Sequence, residues 1–314
     1  MSKNLPSLVF RRGRLILFAA CLLLTNCQKR QPSNVFHVDP ELAKYIPADA
    51  VFLLGVNADA IRNTPVYQKY IAALNLPNLA QFTQQTGLDP RKDISQLLSV
   101  SNGKTGVLLA RGNFNPADLE HRLESGGARR STYNSHNLFG DDTRSVVILN
   151  GSTAIAGSTT VVKGVIDAGS HGSTPPALTE RVKSIPADSQ IWAALVGGTP
   201  NLNVGVPENS NLGSVIRLFR GIDSAALGID LRNGLDLTAN AICRSDQDAK
   251  RLHDALKGII GLGRLSTPDN QPDLLKLYDA IKVEQQQSKV DVTAQVPPDL
   301  TNRFIDLWVK GRGK

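Results

Sequence analysis

The chain has 314 residues, which is enough for two domains of ordinary size or for one large domain. Hydrophobic residues make up 41% and charged residues 20% of the composition, so a disordered or fibrous protein is excluded. The mean hydropathy of −0.15 excludes a polytopic membrane protein. Three cysteines in this length exclude a small fold held together by disulfides.

The net charge of +7 is concentrated at the N-terminus, where residues 1–26 contain four cations and no acidic residue. Those cations are Lys3, Arg11, Arg12 and Arg14. They precede an apolar run over 15–24, and this order is typical of a secretory signal. The run is shorter than the roughly 20 residues of a membrane-spanning helix. Only +3 is left for the rest of the chain, so we predict export and no binding of nucleic acid.

The sequence Leu24-Thr25-Asn26-Cys27 directly follows the apolar run and resembles a bacterial lipobox. The resemblance implies cleavage between Asn26 and Cys27, and attachment of diacylglycerol to the Cys27 sulfur. Gln28 stands where an Asp would retain a lipoprotein at the inner membrane, which implies the outer membrane, facing the periplasm. Two or three acyl chains then hold the protein at the lipid surface. A signal peptide cleaved elsewhere, or an uncleaved anchor, is the alternative.

Cys243 is the only cysteine after Cys27, so the folded part forms no internal disulfide. It shares the parity of Leu235 and Leu237 in an apolar strand, and alternate residues of a strand point to the same side. We therefore predict a buried thiol.

The chain contains an internal repeat, and repeats determine architecture. Ile46-Pro47-Ala48-Asp49 recurs as Ile185-Pro186-Ala187-Asp188, 139 residues later. Apolar runs typical of buried strands follow at 50–56 and 190–196. Helices are predicted next, and their ranges are 65–74, 77–86 and 212–220.

Each copy continues with the same order of signals. Asn-Gly pairs at 102–103 and 233–234 indicate tight hairpins. Asn115 and Ser245 then cap a helix, a second strand pair follows, and a last helix ends each copy. Each copy therefore reads β-α-β-β-α-β-β-α. The predicted class is α+β, with two repeated units of antiparallel sheet and helices on one face.

The predicted organisation has six parts, which in chain order are a lipoprotein signal peptide (1–26), a flexible tether (27–44), repeat unit 1 (45–170), a linker (171–183), repeat unit 2 (184–310) and a disordered tail (311–314). The repeated tetrapeptide, together with Asn63-Thr64-Pro65-Val66-Tyr67 at a helix start, resembles a family of exported bacterial lipoproteins of unknown function. That family carries a similar Leu/Ile-Pro-Ala-Asp strand start. The resemblance implies an envelope protein and no particular reaction.

No catalytic motif emerges from the chain. A Gly-x-Ser-x-Gly elbow is missing, and the five histidines lack the spacing of metal ligands. We predict no catalytic residue, metal or cofactor, and interpret the protein as a non-catalytic binding or structural module. A cleft between the copies is the predicted place for a small ligand or an envelope partner. An exported hydrolase, with a serine near His121, His136 or His253, is the alternative, and a chaperone-like assembly subunit is another.

Overall fold

The structure is a computed structural model, and it describes residues 37–71, 80, 83–84, 87–198 and 219–312. The predicted signal peptide and the candidate lipidation site at Cys27 lie outside the described residues. Most of the helices predicted over 77–86 and 212–220 also lie outside them. Within the helix predicted over 65–74, the structure has a π-helical turn at Tyr67–Ile71.

The described strands form one antiparallel sheet of twelve. Their bounds are β1 Phe52–Asn57, β2 Ile94–Ser101, β3 Gly106–Gly112, β4 Arg129–Tyr133, β5 His136–Gly140, β6 Arg144–Asn150, β7 Thr153–Ser158, β8 Ile191–Leu195, β9 Ile222–Asp230, β10 Leu235–Cys243, β11 Ile281–Gln286 and β12 Lys289–Val296. The order across the sheet is β11-β12-β10-β9-β8-β1-β2-β3-β7-β6-β5-β4. The α+β class is confirmed.

The α-helices of the described chain are α1 Pro40–Ala43, α2 Ala58–Arg62, α3 Pro90–Asp93, α4 Pro116–Ser125, α5 Thr159–Ala168, α6 Pro176–Lys183, α7 Asp246–Leu265, α8 Pro272–Ala280 and α9 Pro298–Arg312. The predicted caps are confirmed: Asn115 accepts a hydrogen bond from the Asp118 amide, and Ser245 accepts one from the Asp248 amide. Helix α9 continues into the segment predicted as a disordered tail.

Helices cover both faces of the sheet, so the prediction that they lie on one face is wrong. On the first face, Leu53 and Leu98 pack with Val162 of α5 and Leu178 of α6. The second face carries Leu97, the chain neighbour of Leu98, which packs in a separate cluster with α4. Helix α7 also lies on the second face, over β10–β12. The reason is that the central strands are apolar on both sides, and each side requires cover.

Pairing of β1 with β8 joins the two halves directly. The register runs from Phe52 opposite Leu195 to Val56 opposite Ile191. Trp192, 3% exposed, stands opposite Gly55 and fills the junction on the first face. A void of about 10 Å³ is left there. On the first face, strand pairing therefore closes the junction and leaves no room for the ligand cleft predicted between the copies.

Two segments predicted as tether and linker belong to the folded body. Val38 and Leu42, next to and within α1, are buried in the core, so the body begins before residue 45. Leu178 and Val182 of α6 are also buried, within the predicted linker 171–183. In α6 the two buried side chains are four residues apart and so fall on one side of the helix. The sequence pattern over so few residues was too short to reveal them.

The repeated tetrapeptide has the same contacts in both places. Ile46 and Ile185 are buried in the core. Asp49 accepts a hydrogen bond of 2.7 Å from the Asn102 side chain, in the turn between β2 and β3. Asp188 accepts an ion-pair hydrogen bond of 2.8 Å from Arg232, in the turn between β9 and β10. Each aspartate therefore holds the start of a strand against the following hairpin.

Three features differ from the predicted units. The two Asn-Gly hairpins have four-residue connections, 102–105 and 231–234, and only the glycines, Gly103 and Gly234, have positive φ. The hairpin β4–β5 was not predicted, because both strands are short and β4 is mostly exposed. Helix α8 was not predicted either, since it follows α7 after a short break at 266–271.

Candidate functional site

A cleft of about 390 Å³ lies on the second face of the sheet, between α7 and strands β8–β10 and β12. Its size falls within the roughly 300–1,000 Å³ typical of small-ligand sites. The side chains that shape it are Ala193, Ala225, Leu227, Ala239, Leu252 and Leu256. Phe52 of β1 extends the same apolar surface across the junction of the halves.

The cleft exists because alanines stand at successive strands beneath the helix. Ala193 of β8 and Ala239 of β10 lie in one register row, Ala225 of β9 lies in the next row of the same face, and each side chain ends at its β-carbon. Leu252 and Leu256 reach from α7 towards the sheet. Protein interiors normally leave few voids larger than one water molecule, so space of this size under a helix calls for an explanation.

The described residues that line the cleft are apolar except Asn240, whose side chain lies on the opposite face of the sheet. Its side-chain oxygen accepts a hydrogen bond from Arg181 of α6, which packs over the first face. Burial lowers the pKa of Arg181, and Asp291 opposes that shift. Among the described residues that line it, the cleft therefore has no polar side chain free to orient a polar ligand.

A second groove of about 420 Å³ lies on the first face, between the 45–50 loop and α5. Val100, Val107 and Val165 form its apolar floor, and Gly164 leaves it open. The polar groups of the 102–105 turn at its rim already have partners. Asp49 binds Asn102, whose oxygen accepts from the amides of Lys104 and Thr105. These groups stabilise the turn, so the geometry favours the cleft under α7 as the binding site.

The predicted buried thiol is confirmed: Cys243 is 4% exposed and packs beneath α7. Burial raises the pKa of the thiol, with a smaller contribution from Asp248 in the same direction. A thiol with a raised pKa is a weak nucleophile at neutral pH.

No serine hydroxyl hydrogen-bonds to His121, His136 or His253 in the part of the chain that the structure describes. His253 instead lies 2.9 Å from the Asp254 carboxylate, its neighbour on the exposed side of α7. His37 lies 3.3 Å from the Ile185 carbonyl, and burial lowers its pKa. Across the described ranges, no three His, Cys, Asp or Glu side chains group as metal ligands. None of the helices described there has the length and hydropathy to cross a bilayer.

Sequence reasoning missed the cleft, although a signal was present. Alanines recur at 193–194, 225–226, 239 and 241, in strands that are otherwise built from larger residues. Small residues in consecutive strands leave space wherever the strands become neighbours. The sequence does not reveal which strands those are, so the signal could be interpreted only after β8, β9 and β10 were seen to pair.

No protein-family model and no curated protein matches the chain. Solved structures that resemble it include three crystal forms of TP0453. Form I has 12% identity and a TM-score of 0.46, and it covers 86% of this chain and 98% of that one. Form III has 10% identity, a TM-score of 0.49 and the same coverage, 86% and 98%. Form IV has 12% identity and a TM-score of 0.46, with 85% and 97% covered.

Proposed function

We propose that the protein is a lipid-anchored protein of the bacterial cell envelope that binds an apolar ligand without catalysing a reaction. The observation that carries the proposal is the cleft under α7, with its apolar lining. The export signal and the lipobox-like sequence before Cys27 support the location, at the outer membrane facing the periplasm. An envelope protein of this kind works beside the membrane, where apolar ligands are concentrated.

The lining selects the class of ligand. A site without free hydrogen-bonding groups penalises any polar group that enters it, because that group loses its bonds to water. Apolar chains incur no such penalty and gain about 0.8 kcal/mol for each methylene removed from water. About ten methylenes would therefore contribute roughly 8 kcal/mol, before the cost of association. An acyl chain, with its polar end left at the mouth of the cleft, fits these requirements.

We infer in addition that the two halves arose by duplication of one unit. The strand order supports this: outward from β1 it is β1-β2-β3-β7-β6, and outward from β8 it is β8-β9-β10-β12-β11. The matching contacts of Asp49 and Asp188 support it as well. On this interpretation β4–β5 is an addition to the first half, and α8 is an addition to the second.

Binding is tested with a fluorescent fatty acid and two matched variants of the purified chain. Ala239→Phe places a ring inside the cleft, and we expect it to weaken binding roughly tenfold or more, which corresponds to a loss of about 1.4 kcal/mol. Thr238→Phe places the same ring on the opposite face, one residue away, and we expect affinity close to that of wild type. Equal affinities for the two variants, or no saturable binding by the wild type, would contradict the proposed cleft.

The anchor is tested separately by metabolic labelling with a palmitate analogue. We expect label in the wild type and none in Cys27→Ala. Label retained by the variant would remove Cys27 from the proposal, whatever the result of the binding assay.

A further inference from the structure

The C-terminal half of α7 exposes three large apolar side chains on one side of the helix. Ile259, Leu262 and Leu265 are 46%, 66% and 85% exposed. They follow one another at intervals of three residues, so they form a row along the helix, which we name the apolar stripe. Isolated exposed leucines are ordinary, but a row of three on one helix indicates a surface that is covered in use.

No neighbouring element in the described chain uses the apolar stripe. The sheet side of α7 is occupied by Ala249 and Leu252, which are buried. Helix α8 packs at another position around α7, where a β-carbon on Gly263 would meet the Tyr278 ring at 2.5 Å. The apolar stripe is therefore additional to the residues that hold α7 in the fold.

The length of chain between Cys27 and His37 limits how far a lipid anchor can lie from the fold. His37 is ten positions after Cys27, and an extended chain spans at most about 3.6 Å per position, or roughly 36 Å in total. His37 is fixed in the fold by the Ile185 carbonyl, at 3.3 Å, and by the Trp192 ring, at 5.8 Å between ring centres. If Cys27 carries the anchor, the lipid surface lies within that reach of His37.

The apolar stripe lies at the same end of the sheet as His37. His37 borders a small void together with Val56 and Asn57, at the end of β1. A single register row runs from Val56 through β8, β9, β10 and β12 to Ile281 of β11. Ile281 directly follows α8, which packs on the end of α7. Five strand spacings of about 4.8 Å separate β1 from β11, roughly 24 Å along the sheet, and crossing from the first face to the second adds about 20 Å at right angles to it. The direct distance is then roughly 31 Å, which is less than the reach of the tether.

We propose that the apolar stripe of α7 lies in the interface of the membrane that holds the lipid anchor. The proposal rests on the anchor of the proposed function. Burial of one exposed leucine favours the membrane-bound orientation by roughly tenfold to a hundredfold, so three side chains orient an anchored protein without being able to hold it alone. A second copy of the chain is a poorer occupant, because a stable dimer buries roughly 800 Å² on each partner and three side chains supply far less.

The orientation places the C-terminal half of α7 at the lipid surface. Leu252 and Leu256, which line the cleft, lie on the same helix as the apolar stripe. The apolar stripe thus relates the membrane to the proposed binding site.

The test uses the full acylated chain in vesicles of phosphatidylethanolamine and phosphatidylglycerol, with an environment-sensitive dye attached to Leu262→Cys. The matched control carries the dye at Lys257→Cys, which is exposed and lies about 140° around the helix from Leu262. The buried Cys243 and the acylated Cys27 leave the introduced thiol as the reactive one. We expect a blue shift, and quenching by spin-labelled acyl chains, at position 262 and not at position 257.

Equal quenching at the two positions, or quenching at neither, would overturn the proposal. The same preparations are assayed for palmitate label and for fatty-acid binding, so failure of the apolar stripe is distinguishable from failure of the anchor or the cleft. The triple replacement Ile259→Ser, Leu262→Ser and Leu265→Ser provides a second measurement. These side chains are exposed, so we expect the triple variant to keep its unfolding midpoint and its fatty-acid binding in detergent. A dye attached to Gly258→Cys in the triple variant should no longer be quenched by the spin-labelled acyl chains.

Discussion

The junction of the two halves depends on the absence of a side chain at Gly55. The indole of Trp192 lies over this residue, which is its partner across the β1–β8 pair. A β-carbon at position 55 would lie 2.1 Å from Cε2, 2.3 Å from Cζ2 and 2.4 Å from Nε1 of the indole. Carbon atoms in contact normally stand about 3.5–4.0 Å apart, so Gly55→Ala forces the ring to move by more than 1 Å.

The expected cost follows from the burial of that ring. Trp192 is buried against the first-face core, so it has no solvent-facing position to adopt without exposing apolar surface. Overpacking of this kind costs about 1–3 kcal/mol, and the backbone preference of alanine over glycine in a strand returns about 0.5–1 kcal/mol. We expect Gly55→Ala to lower the free energy of unfolding by about 2 kcal/mol.

A double-mutant cycle with Trp192→Leu separates the clash from other effects of the alanine. The free energy of unfolding is measured by urea denaturation, followed by circular dichroism. In the Trp192→Leu background, the leucine leaves room for the new methyl group, so we expect Gly55→Ala to cost less than about 0.5 kcal/mol. The matched control is Gly164→Ala in α5, where a β-carbon would meet nothing within 4 Å and the helix gains stability. An equal cost of Gly55→Ala in both backgrounds would refute the reasoning.

Three further expectations concern single side chains. Because burial lowers the pKa of His37, the unfolded chain binds a proton more readily, so stability conferred by the neutral ring is lost as pH falls below about 6.5. The check is to measure the urea unfolding midpoints of the wild type and of His37→Gln between about pH 5.5 and about pH 7.5, a range that includes the ordinary histidine pKa. The same dependence of the midpoint on pH in both proteins would contradict the expectation. The Cys243 thiol should react with an alkylating reagent far more slowly in the folded chain than in urea, since it is buried and its pKa is raised. Mass spectrometry of samples taken at successive times measures the rate of alkylation. Rapid alkylation of the folded chain would contradict the expectation and would show that the end of β10 opens. Asp49→Ala should lower the free energy of unfolding by about 0.5–1.5 kcal/mol, the usual contribution of one hydrogen bond, and should lose this effect in an Asn102→Ala background.

The local signals in the sequence were reliable where the responsible residues are close in the chain. The caps at Asn115 and Ser245 depend on bonds to residues three positions away. The strands before and after each Asn-Gly pair were predicted correctly for the same reason. The four-residue length of those turns was not predicted, although in the first of them the Asn102 side chain acts locally, by accepting hydrogen bonds from the amides of Lys104 and Thr105.

The candidate site was much less predictable than the elements. Its helix, α7, and its strands, β8 to β10, were all expected, and so was the burial of Cys243 beneath them. The space between them was not, because a cavity results from the summed volumes of side chains on separate elements. The apolar stripe on α7 was also missed, since periodicity alone does not distinguish an apolar side chain that packs from one that stays exposed.

By itself, the sequence predicted the export signal, and it determined the α+β class and the order of most elements. The order of charged and apolar segments, hydrophobic alternation and helix capping each depend on residues only a few positions apart. Tertiary structure alone decided that β1 pairs with β8, so that the described strands of both units form one sheet of twelve. It also decided that both faces are covered and that alanines from three strands meet beneath α7. These outcomes depend on which surfaces fit together over distances of more than a hundred residues along the chain, and no local pattern encodes that fit.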